Sequence, residues 1–173
     1  TRSYDPQGRT ITYAQAADAV QRLMDCYRQA GYGRGHRIAL FLESRLEHML
    51  HKLAMNALGI CCVPVNPDYR PRELAYLIDH SHVDLALVLQ SRWADWQAGA
   101  REAAWQPPAV IFEQFDTAAL PPAPAPATSC SPEADTAASI LYTSGTTGRP
   151  KGCVLSHRYE LAAGAYYATR GGL

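Results

Sequence analysis

Residues 37–65 read RIALFLESRLEHMLHKLAMNALGICCVPV, and this stretch decides the fold. Arg37 to Leu42 is short and apolar, with glycines before it and Ser44 after it, the pattern of a buried strand. Leu46, Met49, Leu50, Leu53, Ala54 and Ala57 then recur at three- and four-residue steps, the apolar stripe of a helix. Ser44 and Glu47 have the spacing of a capping box at its start, and Gly59 stops it. Cys61 to Val65 is the next apolar run. Pro64 has no N–H to give a ladder, so this strand lies at a sheet edge or ends there. Strand, helix and strand within 29 residues is the unit from which parallel sheets are built.

The same rhythm extends in both directions. Upstream, Thr12 and Gln15 form a capping box, and Ala16, Val20, Leu23, Met24 and Tyr27 follow on one helical face up to Gly31. Met24 belongs to the core on that stripe. Downstream, Pro71 suits a first helical turn, with Leu74, Leu77 and Ile78 as the buried face. Leu85 to Leu89 is a third strand, Ser91 caps a helix carrying Trp93, Trp96 and Ala100, and Ala109 to Phe112 is a fourth strand. Alternation of this kind predicts an α/β fold with a mostly parallel sheet and right-handed crossover helices.

Composition narrows the function classes. The chain has 173 residues, 47% apolar and 18% charged, with 16 basic against 16 acidic side chains. A neutral balance argues against a broad nucleic-acid or anionic-lipid surface, which needs a basic excess. No run of about 18 apolar residues marks a membrane-spanning helix. Neither a secretory signal nor an initiator Met opens the chain, and both ends read as cuts in a longer polypeptide. The five cysteines, Cys26, Cys61, Cys62, Cys130 and Cys153, are odd in number and form no CxxC pair, which fits reduced thiols in a cytoplasmic protein. Cys61 and Cys62, being adjacent, point to opposite faces of their strand, and Cys130 is the thiol most open to reaction.

Residues 117–135 break the pattern. Five prolines with alanines between them and no period predict an extended surface connection. The chain therefore divides into an α/β unit over 1–116, this connection, and a strand–loop–strand–helix unit over 136–173.

The last unit carries the chemistry. Ser139 to Tyr142 is a strand pattern, Thr143 to Gly152 reads TSGTTGRPKG, Cys153 to Leu155 is another strand pattern, and Ser156 caps a helix with Leu161, Ala165 and Ala168 on one side. Gly145 and Gly148 let the backbone fold tightly and present successive N–H groups. The hydroxyls of Thr143, Ser144, Thr146 and Thr147 adapt to oxygen ligands, Pro150 stiffens the exit, and Lys151 adds a compact positive charge. No acidic residue occurs from Ile140 to Tyr159. These are the parts of a nest for a polyphosphate. The chain has 14 arginines but only two lysines, Lys52 and Lys151, so a lysine here marks a place where a forked guanidinium would not serve. The loop is not a Walker A motif, because Lys151 leads into Gly152 and an apolar run instead of a helix.

The loop resembles the phosphate loop of the adenylate-forming (ANL) superfamily, [ST]SG[ST]TGxPKG, at every position, and Val154 to His157 resembles its continuation. Thr12-Tyr13 resembles the family's early "TY" signature, and Ala57 to Pro67 its second core motif, so the likeness spans nearly the whole chain. The resemblance implies the N-terminal fragment of an ATP-dependent acid–coenzyme A ligase. Such enzymes join a carboxylic acid to AMP, release pyrophosphate, and pass the acyl group to coenzyme A. It implies that Thr143, Ser144, Gly145, Thr146, Thr147, Gly148 and Lys151 hold the β- and γ-phosphates of ATP, with Thr143 helping to place Mg²⁺. The family's catalytic residues and acid pocket lie beyond this loop, so the chain alone is expected to be inactive. Asn66-Pro67 is closer to the coenzyme A ligases than to peptide-synthetase adenylation domains, which usually have Asp there. A peptide-synthetase domain and a non-catalytic nucleotide-binding module stay open as alternatives.

Other polar residues have plainer readings. His157 packs under the loop in a first helical turn. His48 and His51, and His80 and His82, lack the convergence of a zinc site. Glu43 is a solvated strand-end residue, and Arg70 and Arg72 a solvated helix start.

Overall fold

Burial, not propensity, sets the strand–helix–strand centre of the molecule. The computed structural model describes residues 8–115, 120–143 and 150–170. Strand β1 (Arg37–Phe41) is closed to solvent at every position after Arg37. Strand β2 (Cys61–Pro64) lies parallel beside it, with Arg37 opposite Cys61 and Leu40 opposite Pro64. Helix α2 (Leu46–Ala57) crosses between them. Gly59 ends that connection at φ +73°, a conformation that side chains with a Cβ resist.

Helix α1 (Tyr13–Gln29) begins at the expected capping box. Gln15 N donates to Thr12 Oγ1 at 3.2 Å, and Thr12 N donates to Gln15 Oε1 at 2.8 Å. Helix α3 (Pro71–Ser81) starts with proline at its first position and buries Leu74, Leu77 and Ile78. Strand β3 (Leu85–Val88), helix α4 (Trp93–Glu102) and strand β4 (Ala109–Ile111) continue the alternation. Strand β5 (Ala137–Thr143) and strand β6 (Lys151–Ser156) form an antiparallel hairpin, followed by helix α5 (His157–Arg170).

All six strands join one sheet in the order β4-β3-β1-β2-β5-β6, parallel except for the last pair. This is the expected mostly parallel α/β architecture. The strands' alternation separates two cores. Ala39, Phe41, Cys61 and Val63 pack with α3 and Trp96 on one face, while Ile38, Leu40 and Cys62 pack with Tyr27, Ala54 and Met55 on the other. Cys61 and Cys62 thus face opposite ways, and Met24 packs against the second core.

Several local expectations are corrected. Of the two alternatives at Pro64 the second holds: β2 ends there, and the strand is interior, between β1 and β5. The Ser44–Glu47 capping box does not form: the N-cap of α2 is Arg45 without a side-chain bond, and the Glu47 carboxylate pairs with Arg9 at 2.6 Å. The α2 stripe also divides, because Leu46, Leu50 and Ala54 are buried with His51 and Met55, while Met49 and Leu53 are exposed. Ser91 lies inside a single 3₁₀ turn, Gln90–Arg92, and α4 starts at Trp93 with no side-chain cap. Glu43 is not simply solvated: at φ +57° it accepts a bond from Arg92 Nε at 2.7 Å.

The described part of the Pro/Ala stretch runs against the α1–β1 turn. Ala123 N donates to Ala30 O at 2.8 Å, Thr128 N to Arg34 O at 2.9 Å, and His36 Nε2 lies 3.0 Å from Ala125 O. Leu120 joins the second core. Among the described residues no helix is long and apolar enough to cross a membrane.

Candidate functional site

The β5–β6 hairpin fixes the two ends of the glycine- and hydroxyl-rich loop. Its ladder runs from Ala137 opposite Ser156 to Thr143 opposite Lys151, and these last two residues are the loop's gateposts. Residues directly opposite in an antiparallel pair send their side chains to the same face, with Cβ atoms about 5 Å apart. The Thr143 and Lys151 side chains therefore leave the sheet on the same face, where the loop departs. Both residues are exposed. Ser144, Gly145, Thr146, Thr147 and Gly148 lie outside the described residues.

Gly152 permits the close pairing at the next rung. A Cβ there would come within 3.2 Å of Ile140 Cγ2 and of the Tyr142 ring. Tyr142, opposite Gly152, packs against the first core, and its Oη lies 2.8 Å from His80 Nδ1 on α3. Partial burial pushes the Tyr142 phenol up to about 12, so it stays protonated.

Because β5 runs parallel to β2, Thr143 comes at the carboxyl end of the parallel strands, the end where open α/β sheets hold ligands. A cavity of about 430 Å³ opens at the same ends of β1 and β2, lined in part by Arg45, His48, Lys52 and Glu43. His48 Nδ1 lies 3.1 Å from Glu43 O, a contact in which only the nitrogen can donate. Burial lowers the His48 pKa, and Lys52 adds to this.

The face of the hairpin that carries Ser139, opposite the Tyr142 face, holds a network that the sequence did not reveal. Glu160, in the first turn of α5, accepts from Lys52 Nζ on α2 with one carboxylate oxygen and from Ser139 Oγ on β5 with the other. Burial would raise its pKa, but these two hydrogen bonds and the lysine charge outweigh it and hold the carboxyl below its ordinary value. Two clues were available: Lys52 is one of only two lysines, and Glu160 is the first acid after the acid-free run. Ser156 caps α5 as expected, accepting from Tyr159 N at 3.3 Å. The His157 Nε2 is shut from solvent with no partner among the described residues. In the same set no cluster of three or more His, Cys, Asp or Glu side chains could hold a metal ion.

The two gateposts can thus offer an anion a hydroxyl and an ammonium. A family model described as "AMP-binding enzyme" matches residues 2–171. Sulfoacetate–CoA ligase of Cupriavidus necator is 32% identical over 164 residues, covering 91% of this chain and 31% of that one. Tyrocidine synthase 3 of Brevibacillus parabrevis is 27% identical over 149 residues, 86% of this chain and 2% of that one. The crystal structure of ATP-bound MatB from Rhodopseudomonas palustris superposes with a TM-score of 0.70 at 29% identity, covering 94% of this chain and 32% of that one. The chain spans about a third of the length of the sulfoacetate ligase.

Proposed function

The chain belongs to the AMP-binding enzyme family, and we propose that it is the phosphate-loop portion of an ATP-dependent acid–coenzyme A ligase. The observation that carries this reading is the hairpin that sets Thr143 opposite Lys151 at the mouth of TSGTTGRPKG. In the proposed reaction a carboxylate oxygen attacks the α-phosphorus of ATP, the bond to the bridging oxygen of the β-phosphate breaks, and pyrophosphate leaves. The thiol sulfur of coenzyme A then attacks the acyl carbon, its proton passes to solvent, the bond from that carbon to the phosphate oxygen breaks, and AMP leaves.

The difficulty of the first step is electrostatic, since one anion must approach another. The loop serves the leaving side. Hydroxyls of Thr143, Ser144, Thr146 and Thr147 and the backbone at Gly145 and Gly148 surround the β- and γ-phosphates, and Lys151 neutralises charge that builds on the pyrophosphate. Under this reading the chain's contribution to Mg²⁺ is the neutral Thr143 oxygen, and the ion comes with the nucleotide. When bound, Mg²⁺ supplies further charge neutralisation. None of the 173 residues is assigned as a catalytic acid or base, and the isolated chain is inactive under this reading. The free thiols fit a reducing cytoplasmic setting.

The likeness to tyrocidine synthase 3 supports a second reading, adenylation for transfer to a carrier protein. The complete encoded polypeptide, given ATP, Mg²⁺, coenzyme A and a panel of carboxylic acids, decides between them. Release of AMP and pyrophosphate with an acyl-coenzyme A product is expected. Pyrophosphate exchange without a coenzyme A thioester points to the carrier reading, and neither reaction with any acid overturns both.

A further inference from the structure

We propose that Glu160 is a positioning residue that clamps the phosphate-loop hairpin to the sheet through Lys52 and Ser139. The inference deepens the phosphate-loop reading above and rests on it for its functional consequence.

The clamp sits where the hairpin meets the parallel sheet. β1 and β2 share four register pairs and β5 and β6 share six, but β2 and β5 share one, Cys62 opposite Ser139. Within this chain none of the residues of helix α5 is buried, and its tie to the sheet is polar. Ser139 is therefore the junction between the parallel sheet and the hairpin, and it is the residue that Glu160 grips. It is fully buried, on the face opposite Ile140 and toward α2. Its hydroxyl donates to Glu160, whose other oxygen receives Lys52, so one carboxylate ties β5, α5 and α2 at the β2–β5 seam. On the opposite face Tyr142 and His80 provide the second tie.

Charge also suits the place. A free carboxylate close behind a polyphosphate loop would repel its ligand. Lys52 cancels that charge, so the anchor leaves the acid-free field from Ile140 to Tyr159 intact. Losing Glu160 leaves a buried hydroxyl without its acceptor and an ammonium without its counter-ion, both at the seam.

The test uses the complete encoded polypeptide and compares Glu160→Ala, Glu160→Gln and Lys52→Met. Amide hydrogen exchange over residues 137–143 and 151–156 reports the clamp, and ATP·Mg²⁺ affinity reports its consequence. In Glu160→Ala the hairpin amides should exchange about tenfold faster while those of β1 and β3 keep their rates, as expected for a local opening. ATP·Mg²⁺ affinity should fall about tenfold. Glu160→Gln, which keeps an acceptor for Ser139, should recover much of the protection. Lys52→Met should loosen the same amides even if Glu160→Ala fails to fold.

Unchanged hairpin exchange in all three variants overturns the proposal. So does faster exchange spread equally over β1 and β3, which would make Glu160 an ordinary stabilising residue. Local loosening with undiminished ATP affinity overturns the positioning role. A wild-type protein that binds no ATP overturns the phosphate-loop reading, and with it the positioning role, while the exchange data still decide whether the clamp exists.

Discussion

Stability should fall as the pH drops from 7 to 4, and His51 should account for a large part of the fall. Its ring is 2% exposed, accepts the Tyr27 hydroxyl on Nδ1 at 2.7 Å, and meets the rings of Phe112 and Phe115 edge-on. Burial pushes Tyr27 well above its ordinary value, so the phenol keeps its proton and donates. Burial lowers His51 from 6.5 to about 4, Glu47 opposes this, and His48 adds to it. A histidine depressed in the folded state is protonated first in the unfolded chain. Stability is then complete above pH 6.5, falls through the window down to 4, and levels off once the folded imidazole also titrates. That gap is worth about 3 kcal/mol at roughly 1.4 kcal/mol for each pH unit. His48 acts in the same direction, and the lowered carboxyls of Glu47 and Glu160 add losses in more acid solution, so a difference measurement is needed. His51→Asn supplies an amide oxygen for the Tyr27 hydroxyl without a titrating ring. Urea unfolding followed by the fluorescence of buried Trp96 should show that its stability declines by about 3 kcal/mol less than wild type between pH 7 and 4. Parallel pH profiles for the two proteins would refute the reasoning.

Two further outcomes follow from packing. Gly99→Ala would bring a Cβ to 2.5 Å from Leu74 Cβ where α3 meets α4. The gain in helix propensity is about 1 kcal/mol, and overpacking costs about 1–3 kcal/mol, so the urea midpoint should fall; a rise would show that the two helices part freely. Brief alkylation of the native protein, read by mass spectrometry, should modify exposed Cys130 and Cys153 and spare Cys61 and Cys62. Burial pushes Cys61 up to about 11 and Cys62 higher still, leaving little thiolate at neutral pH. Early labelling of Cys62 would contradict the core assignment.

What the sequence revealed, and what it hid, divides by distance along the chain. Short apolar runs and helical stripes located every strand and helix of the parallel sheet, because each is a local pattern matched to burial. Partners were less visible. Met49 and Leu53 continue the α2 period but face outward, since periodicity marks a face and does not say what covers it. Ser44 has the spacing of a cap, yet Glu47 is drawn to Arg9, 38 residues away. Insertion of β2 between β1 and β5 depends on pairing across the Pro/Ala stretch, which leaves no local mark. At the candidate site, Thr143 and Lys151 were legible from the motif. The Lys52–Glu160–Ser139 clamp joins residues 108 and 21 apart, and only the fold brings them together.

The central claim is that the loop ending at Lys151 grips the triphosphate of a nucleotide. Calorimetric titration of the complete encoded polypeptide with ATP·Mg²⁺, wild type against Lys151→Ala, tests it most directly. A charged hydrogen bond to phosphate is worth about 1.5–3 kcal/mol, so the variant should bind roughly ten- to a hundredfold more weakly. Equal affinity in the two proteins would contradict the account.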